Sequence, residues 1–303
     1  MVNIKIMSLW LVSAIFSLAH AHVSNETKLS DIIVVETCEQ LQAMHTNLDG
    51  NYVQTQDIDC QDYSGFKPIG TANAPFTGQF TGQQHKISHL TIYYPKGEAG
   101  LFGYTQDAQI EEVRLVDIEV TGGNYSTGAL VGSLNRSLVF SCEVNGKVSS
   151  THSNVGGMVG VANDSALLYV SAAGLVVGET NVGGLAGHAS DSGIYDSYSA
   201  SHVNGLHNVA GLIGLLTEYS EVMDAYAIGP VNGLVHTGGL IGKNNTGSVE
   251  ASFWDKQSSQ QQDSAGGIGY TTARMQNPNT YSGWDDTIWY FTAGKYPQLA
   301  WKQ

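Results

Sequence analysis

The chain has 303 residues, of which 36 are Gly, only 6 are Pro and 13% are charged. That composition excludes a charge-rich or Pro-rich disordered chain and points to a fold with many tight turns. With 27 acidic against 13 basic residues the formal net charge is −14, which excludes an electrostatic footprint for nucleic acid or an anionic membrane surface.

The first predicted element is a Sec-type export signal over 1–21. Lys5 supplies its positive start, Ile6 to Leu18 is the apolar run, and Ala19-His20-Ala21 is the small-residue cleavage site, so the mature chain begins at His22. No later stretch has the ~18 consecutive apolar residues of a membrane-spanning helix. A secreted or cell-surface protein, with no transmembrane segment after cleavage, is expected.

Residues 22–99 are predicted to form a leader and an N-terminal β cap. Cys38 and Cys60 bracket 21 residues there, and the oxidising compartment that export implies predicts a disulfide between them.

Residues 100–250 carry an internal repeat. Gly100-Leu101-Phe102-Gly103, Leu130-Val131-Gly132, Gly157-Met158-Val159-Gly160, Gly184-Leu185-Ala186-Gly187, Gly211-Leu212-Ile213-Gly214 and Gly239-Leu240-Ile241-Gly242 end on glycines spaced 29, 28, 27, 27 and 28 residues apart. Seven residues beyond the glycine stand Ile110, Val139, Leu167, Ile194 and Val249, with Val222 one place late. Asn154, Asn181 and Asn208 stand six before it. Short β-type segments with Gly at their ends cannot bury one apolar face alone, and stacking solves this. The prediction is an all-β repeat β-solenoid, a β-helix, of about six coils of 27–29 residues with N- and C-terminal caps. The Asn column is expected to stack its amides at a turn. Cys142 falls in the column of Ser197 and Ser252, where a small inward residue is required.

Residues 251–303 are predicted to be the C-terminal cap, holding four of the five Trp: Trp254, Trp284, Trp289 and Trp301. Aromatics bury the most area per residue, so the segment reads first as a plug over the last coil. Read as a platform for sugar rings, it makes Trp284, Trp289 and Tyr290 the binding candidates.

Val182-Gly183-Gly184-Leu185-Ala186-Gly187 resembles the motif that defines the GLUG-repeat proteins. Phe66-Lys67-Pro68-Ile69-Gly70, Phe76-Thr77-Gly78-Gln79-Phe80 and Ile87-Ser88-His89-Leu90-Thr91-Ile92 are similar to the lead-in of such repeats. Phe253-Trp254-Asp255 and Tyr296-Pro297-Gln298-Leu299 are similar to their tail. The resemblance implies an exported bacterial surface protein. Such repeats occur in adhesin-like proteins and in the non-catalytic part of immunoglobulin A-cleaving metallopeptidases. No peptidase domain is recognised after the repeats here.

Catalytic signals are sparse. The zinc motif H-E-x-x-H is absent, and His85 and His89 sit on a strand-like segment too far apart for one metal. The catalytic candidates are Asp196 and Asp224, which share a column once a one-residue insertion is allowed for. Adjacent coils would place them about 5 Å apart, where one carboxylate raises the other's pKa or both hold Ca²⁺. The alternatives are a carbohydrate-active β-helix enzyme that uses this pair and a purely structural, envelope-associated scaffold. The expectation drawn is nevertheless no enzyme, no cofactor and no metal site. It is a monomeric, adhesin-like protein recognising a host or cell-surface protein or glycan.

Overall fold

The computed structural model describes residues 32–303, so the predicted signal and its cleavage site lie outside the described residues. The repeat is a parallel β-solenoid of about seven turns. One rung shows how each is built. Ser153–Gly156, Val159–Asn163, Ala166–Leu168 and Ser171–Val177 are its four strands, and the next rung restarts at Thr180–Gly183. We call the four stacked sheets faces 1 to 4 in that order. Equivalent residues pair rung to rung: Val155 with Val182, Val159 with Ala186, Leu167 with Ile194 and Val176 with Val203. These columns point inward and are buried, so one continuous core runs through the stack.

The solenoid starts earlier than its glycine motifs. On face 3, Tyr52 pairs with Phe80 and Phe80 with Ile110, so residues expected as leader and cap supply rungs of their own. The Gly-x-x-Gly signal marks face 2. In these first rungs face 2 is reduced to single bridges, Ile69 with Phe102 and Phe76 with Thr105, so the motif is missing although the stacking is not.

A short helix, Cys38–Ala43, precedes them. Thr37 and Gln40 form a reciprocal capping box at its start, and Leu41 and Met44 are buried in the main core. Cys38 and Cys60 are joined by a disulfide with Cα atoms 5.5 Å apart.

At three columns of the stack the chain passes through the left-handed region without glycine. Between faces 3 and 4 stand Ser141, Tyr169, Asp196, Asp224 and Ala251, with φ from 43° to 57°. Between faces 2 and 3 stand Asp107, Arg136, Asp164 and Asp191, and face 1 carries Asn154, Asn181, Asn208 and His236. Such a conformation costs about 1 kcal/mol or more per residue. Ladder bonds offset it: Asn181 Nδ2 donates to Asn154 Oδ1 and Asn208 Nδ2 to Asn181 Oδ1, both at 2.8 Å.

Inside the corners, small hydroxyls satisfy backbone groups that the turns leave unpaired. The N–H groups of Ser137, Ser165 and Ser192 donate to Ser165, Ser192 and Ser220 Oγ at 3.1, 3.1 and 3.2 Å. Those hydroxyls in turn donate back to the carbonyls of Asn163, Ser190 and Glu218. At the next corner, Ser197, Ser252 and Cys142 do the same for the N–H groups of Val170, Ala225 and Val113.

The far end of the core is closed by Trp254, buried in the inner core, and by residues 260–268, rather than by the aromatic residues that follow. Ala265 N–H donates to Ile241 O at 2.9 Å, and Ser264 Oγ accepts from Leu240 and Ile241 N–H. The chain beyond folds back along the outside of face 4. Tyr198, Tyr226 and Phe253 form an outward apolar column there. With Met275, Tyr281, Trp284, Trp289 and Leu299 they build a second core, separate from the inner one. The expected plug over the last coil is therefore a lateral clasp, because the apolar surface needing cover lies on the solenoid's side.

Candidate functional site

The two candidate carboxylates meet. Tyr195 pairs with Met223, so Asp196 and Asp224, the next residue on each strand, occupy the same corner on adjacent rungs, about 4.8 Å apart. Asp196 N–H donates to Met223 O and Asp224 N–H to Glu250 O, which fixes both in the left-handed turn.

The clasp lies over this corner, and its indoles fasten to it. Trp284 Nε1 donates to Ala251 O at 3.0 Å, Trp289 Nε1 to Asp196 Oδ1 at 2.8 Å and Trp301 Nε1 to Tyr169 O at 2.9 Å. Next to it, Lys302 Nζ lies 2.6 Å from Glu143 Oε1 and donates to Ser171 Oγ and the Tyr198 hydroxyl. Glu143 also pairs with Arg114 at 3.2 Å.

This cover changes the acid. Burial, followed by the charges of Asp224 and Asp285, pushes Asp196 up to about 7, against the lowering effect of the Trp289 bond. Asp285, exposed on the clasp, is held below the usual carboxylate range by the hydroxyl and N–H of Thr287. Asp196 is thus a half-buried acid poised near neutral pH beside a second carboxylate. Such a group can donate a proton, the role a general acid plays in glycoside hydrolysis.

Of the aromatic candidates, Trp284 and Trp289 are 7% and 1% exposed and belong to the second core, so neither offers a ring to a ligand. Only Tyr290, 54% exposed, presents its ring to solvent. Their spacing in sequence carries no sign of this, since the two tryptophans are buried by an outer column visible only once the rungs are in register. Sequence reasoning also missed Lys302, whose partners lie 104 and 131 residues away.

At the other end, Glu36, Glu39, Asp57, Asp59 and Asp62 line an acidic cleft of about 240 Å³. His85 and His89 face different acids, Asp57 at 3.4 Å and Asp59 at 2.8 Å. Asp57 is lowered first by the Lys86 N–H, Asp59 first by the His89 bond. Among the described residues, no group of three or more His, Cys, Asp or Glu is arranged to hold a metal ion, and no helix is long and apolar enough to cross a membrane.

The fold recurs in solved structures. One, a candidate immunoglobulin A1 protease of Bacteroides ovatus, superposes with a TM-score of 0.72 at 17% identity, over 91% of this chain and 94% of that one. A second, an IgA1 protease, gives 0.59 at 18% identity, over 81% of this chain and 20% of that one. These identities establish the shared fold. They also correct the expectation of no enzyme, since the same solenoid is found in proteins named for a protease activity. Halomucin of Haloquadratum walsbyi is 33% identical over 155 residues, 46% of this chain, and the chain spans only 2% of its length. No family model matches the chain.

Proposed function

We propose that the chain is an exported, adhesin-like recognition protein of the GLUG-repeat kind, engaging a host or cell-surface protein or glycan through its rigid repeat surface. The observation that carries the reading is the regularity of the outer corners. Polar side chains such as the Asn154–Asn181–Asn208 ladder, extended by His236, repeat on successive rungs of a hydrogen-bonded stack, so many weak contacts can sum with little ordering cost. The match to part of halomucin and the composition of the first 21 residues support export. Tyr290 is the exposed clasp aromatic available for a sugar face.

The test is binding of the purified protein to a glycan array and to host cells, with the glycans and immunoglobulin A1 assayed for cleavage in parallel. Saturable binding weakened by Asn181→Ala or Tyr290→Ala supports recognition. No binding to any glycan or cell overturns it in favour of an envelope scaffold. A second reading, a carbohydrate-active enzyme, is favoured by Asp196 resting near neutrality beside Asp224. It requires glycan cleavage that Asp196→Asn with Asp224→Asn abolishes.

A further inference from the structure

We propose that the C-terminal clasp, residues 284–302, is a proton-operated latch: protonation of Asp196 tightens it on the face 3–4 corner, and deprotonation loosens it. The inference is independent of what the solenoid binds.

The geometry makes Asp196 the sensitive point of the closure. Three indole N–H groups hold the clasp to one corner column. Two of them end on main-chain carbonyls, of Ala251 and Tyr169, whose acceptor strength does not change with pH. The third ends on Asp196, between them. The groups that bear on Asp196 come from three sides. Tyr169 stands on the preceding rung, Asp224 on the following rung, and Asp285 and Trp289 on the clasp itself. Two of these are further carboxylates. Of the clasp's two lysines, Lys302 is engaged nearby with Glu143 and Tyr198, and neither it nor Lys295 is among the charges that act on Asp196. Closing the clasp over an ionised Asp196 therefore drives Asp285 toward two like charges while stripping water from one of them. With Asp196 neutral the aromatic burial remains and that repulsion is relieved; the indole bond is weaker to the neutral acid, but burial outweighs it.

The sign follows from linkage. In the closed clasp Asp196 is pushed up to about 7, first by burial. Opening restores water, and the carboxyl returns toward its ordinary value of about 3.9. The closed form binds the proton more tightly, so closure strengthens as pH falls from about 7 toward 4 and is weakest above 7. Between pH 8 and pH 5 the closed-to-open ratio rises on the order of tenfold to a hundredfold.

The experiment is hydrogen exchange with mass spectrometry on the full protein at pH 5 and pH 8, corrected for intrinsic exchange, following peptides from 284–302. Peptides over the inner strands Val159–Asn163 and Ala186–Ser190 report that the solenoid is intact. Wild-type clasp amides are expected to be at least tenfold better protected at pH 5 than at pH 8. Asp196→Asn, a permanently neutral isostere, is expected to be well protected at both. Equal wild-type protection at the two pH values overturns the proposal, as does an unchanged pH dependence in Asp196→Asn. Should Asp196→Asn lose protection of the inner strands, Asp224→Asn decides. Removing one like charge moves the midpoint of the transition to lower pH, and an unmoved midpoint refutes the latch.

Discussion

Replacing Gly184 by Ala tests the packing of the repeat directly. Gly184 opens a Gly-Leu-Ala-Gly motif, and a Cβ built there would lie 2.1 Å from the Gly211 carbonyl oxygen and 2.2 Å from Ser199 Oγ. The first of these is backbone of the next rung, held by its own ladder, and cannot swing aside. The same arrangement recurs at Gly157, whose Cβ would lie 2.2 Å from Gly184 O, so the glycines form a column on which consecutive rungs close. Overpacking a well-filled interior costs about 1–3 kcal/mol where side chains can adjust. Here main chain must move, so a loss of about 3 kcal/mol or more is expected. Gly65→Ala is the control: its φ is +76° but nothing lies within 4 Å, so only the left-handed penalty of about 1 kcal/mol applies. Urea denaturation of the two variants, followed by circular dichroism, measures both midpoints. A Gly184→Ala midpoint no lower than that of Gly65→Ala refutes the argument that rung spacing, rather than backbone dihedral, dictates glycine in the motif.

Two further outcomes are expected. Ser192→Ala leaves the buried Ser165 N–H without its acceptor, and thermal or urea unfolding should register a loss of about 1–3 kcal/mol. Cys142, whose thiol is pushed up to about 12 by burial, should resist alkylation by iodoacetamide at pH 8 in the native protein and react once it is unfolded; rapid native labelling would contradict its enclosure.

The repeat was legible because a solenoid writes its geometry into the chain as a period. The spacing of Gly160, Gly187 and Gly214 is the length of a rung. The inward columns through Leu167 and Ile194 and the Asn181 ladder follow from that period alone. The column shared by Asp196 and Asp224 was legible for the same reason, since a one-residue insertion near Tyr219 can be counted. The serines at 165, 192 and 220 also keep the period, but their function as acceptors for the preceding rung's N–H depends on the corner's dihedrals, which no periodicity encodes.

What the amino-acid order determined by itself is therefore everything that repeats: strand length, turn placement and which residues stack. The first rungs, where Phe80 joins Ile110 across a 30-residue step, escaped because their face 2 is too irregular to carry the motif. Tertiary structure alone decided where the last 30 residues go. Their indoles reach Ala251, Asp196 and Tyr169 across separations of 33, 93 and 132 residues. That choice depends on an apolar column, Tyr198, Tyr226 and Phe253, which becomes one surface only when three rungs are stacked. It turns an expected end plug into a side clasp, buries Trp284 and Trp289, and gives Asp196 its unusual proton affinity. A burial effect of that kind belongs to the packed surface, because water is excluded by both segments together and by neither alone.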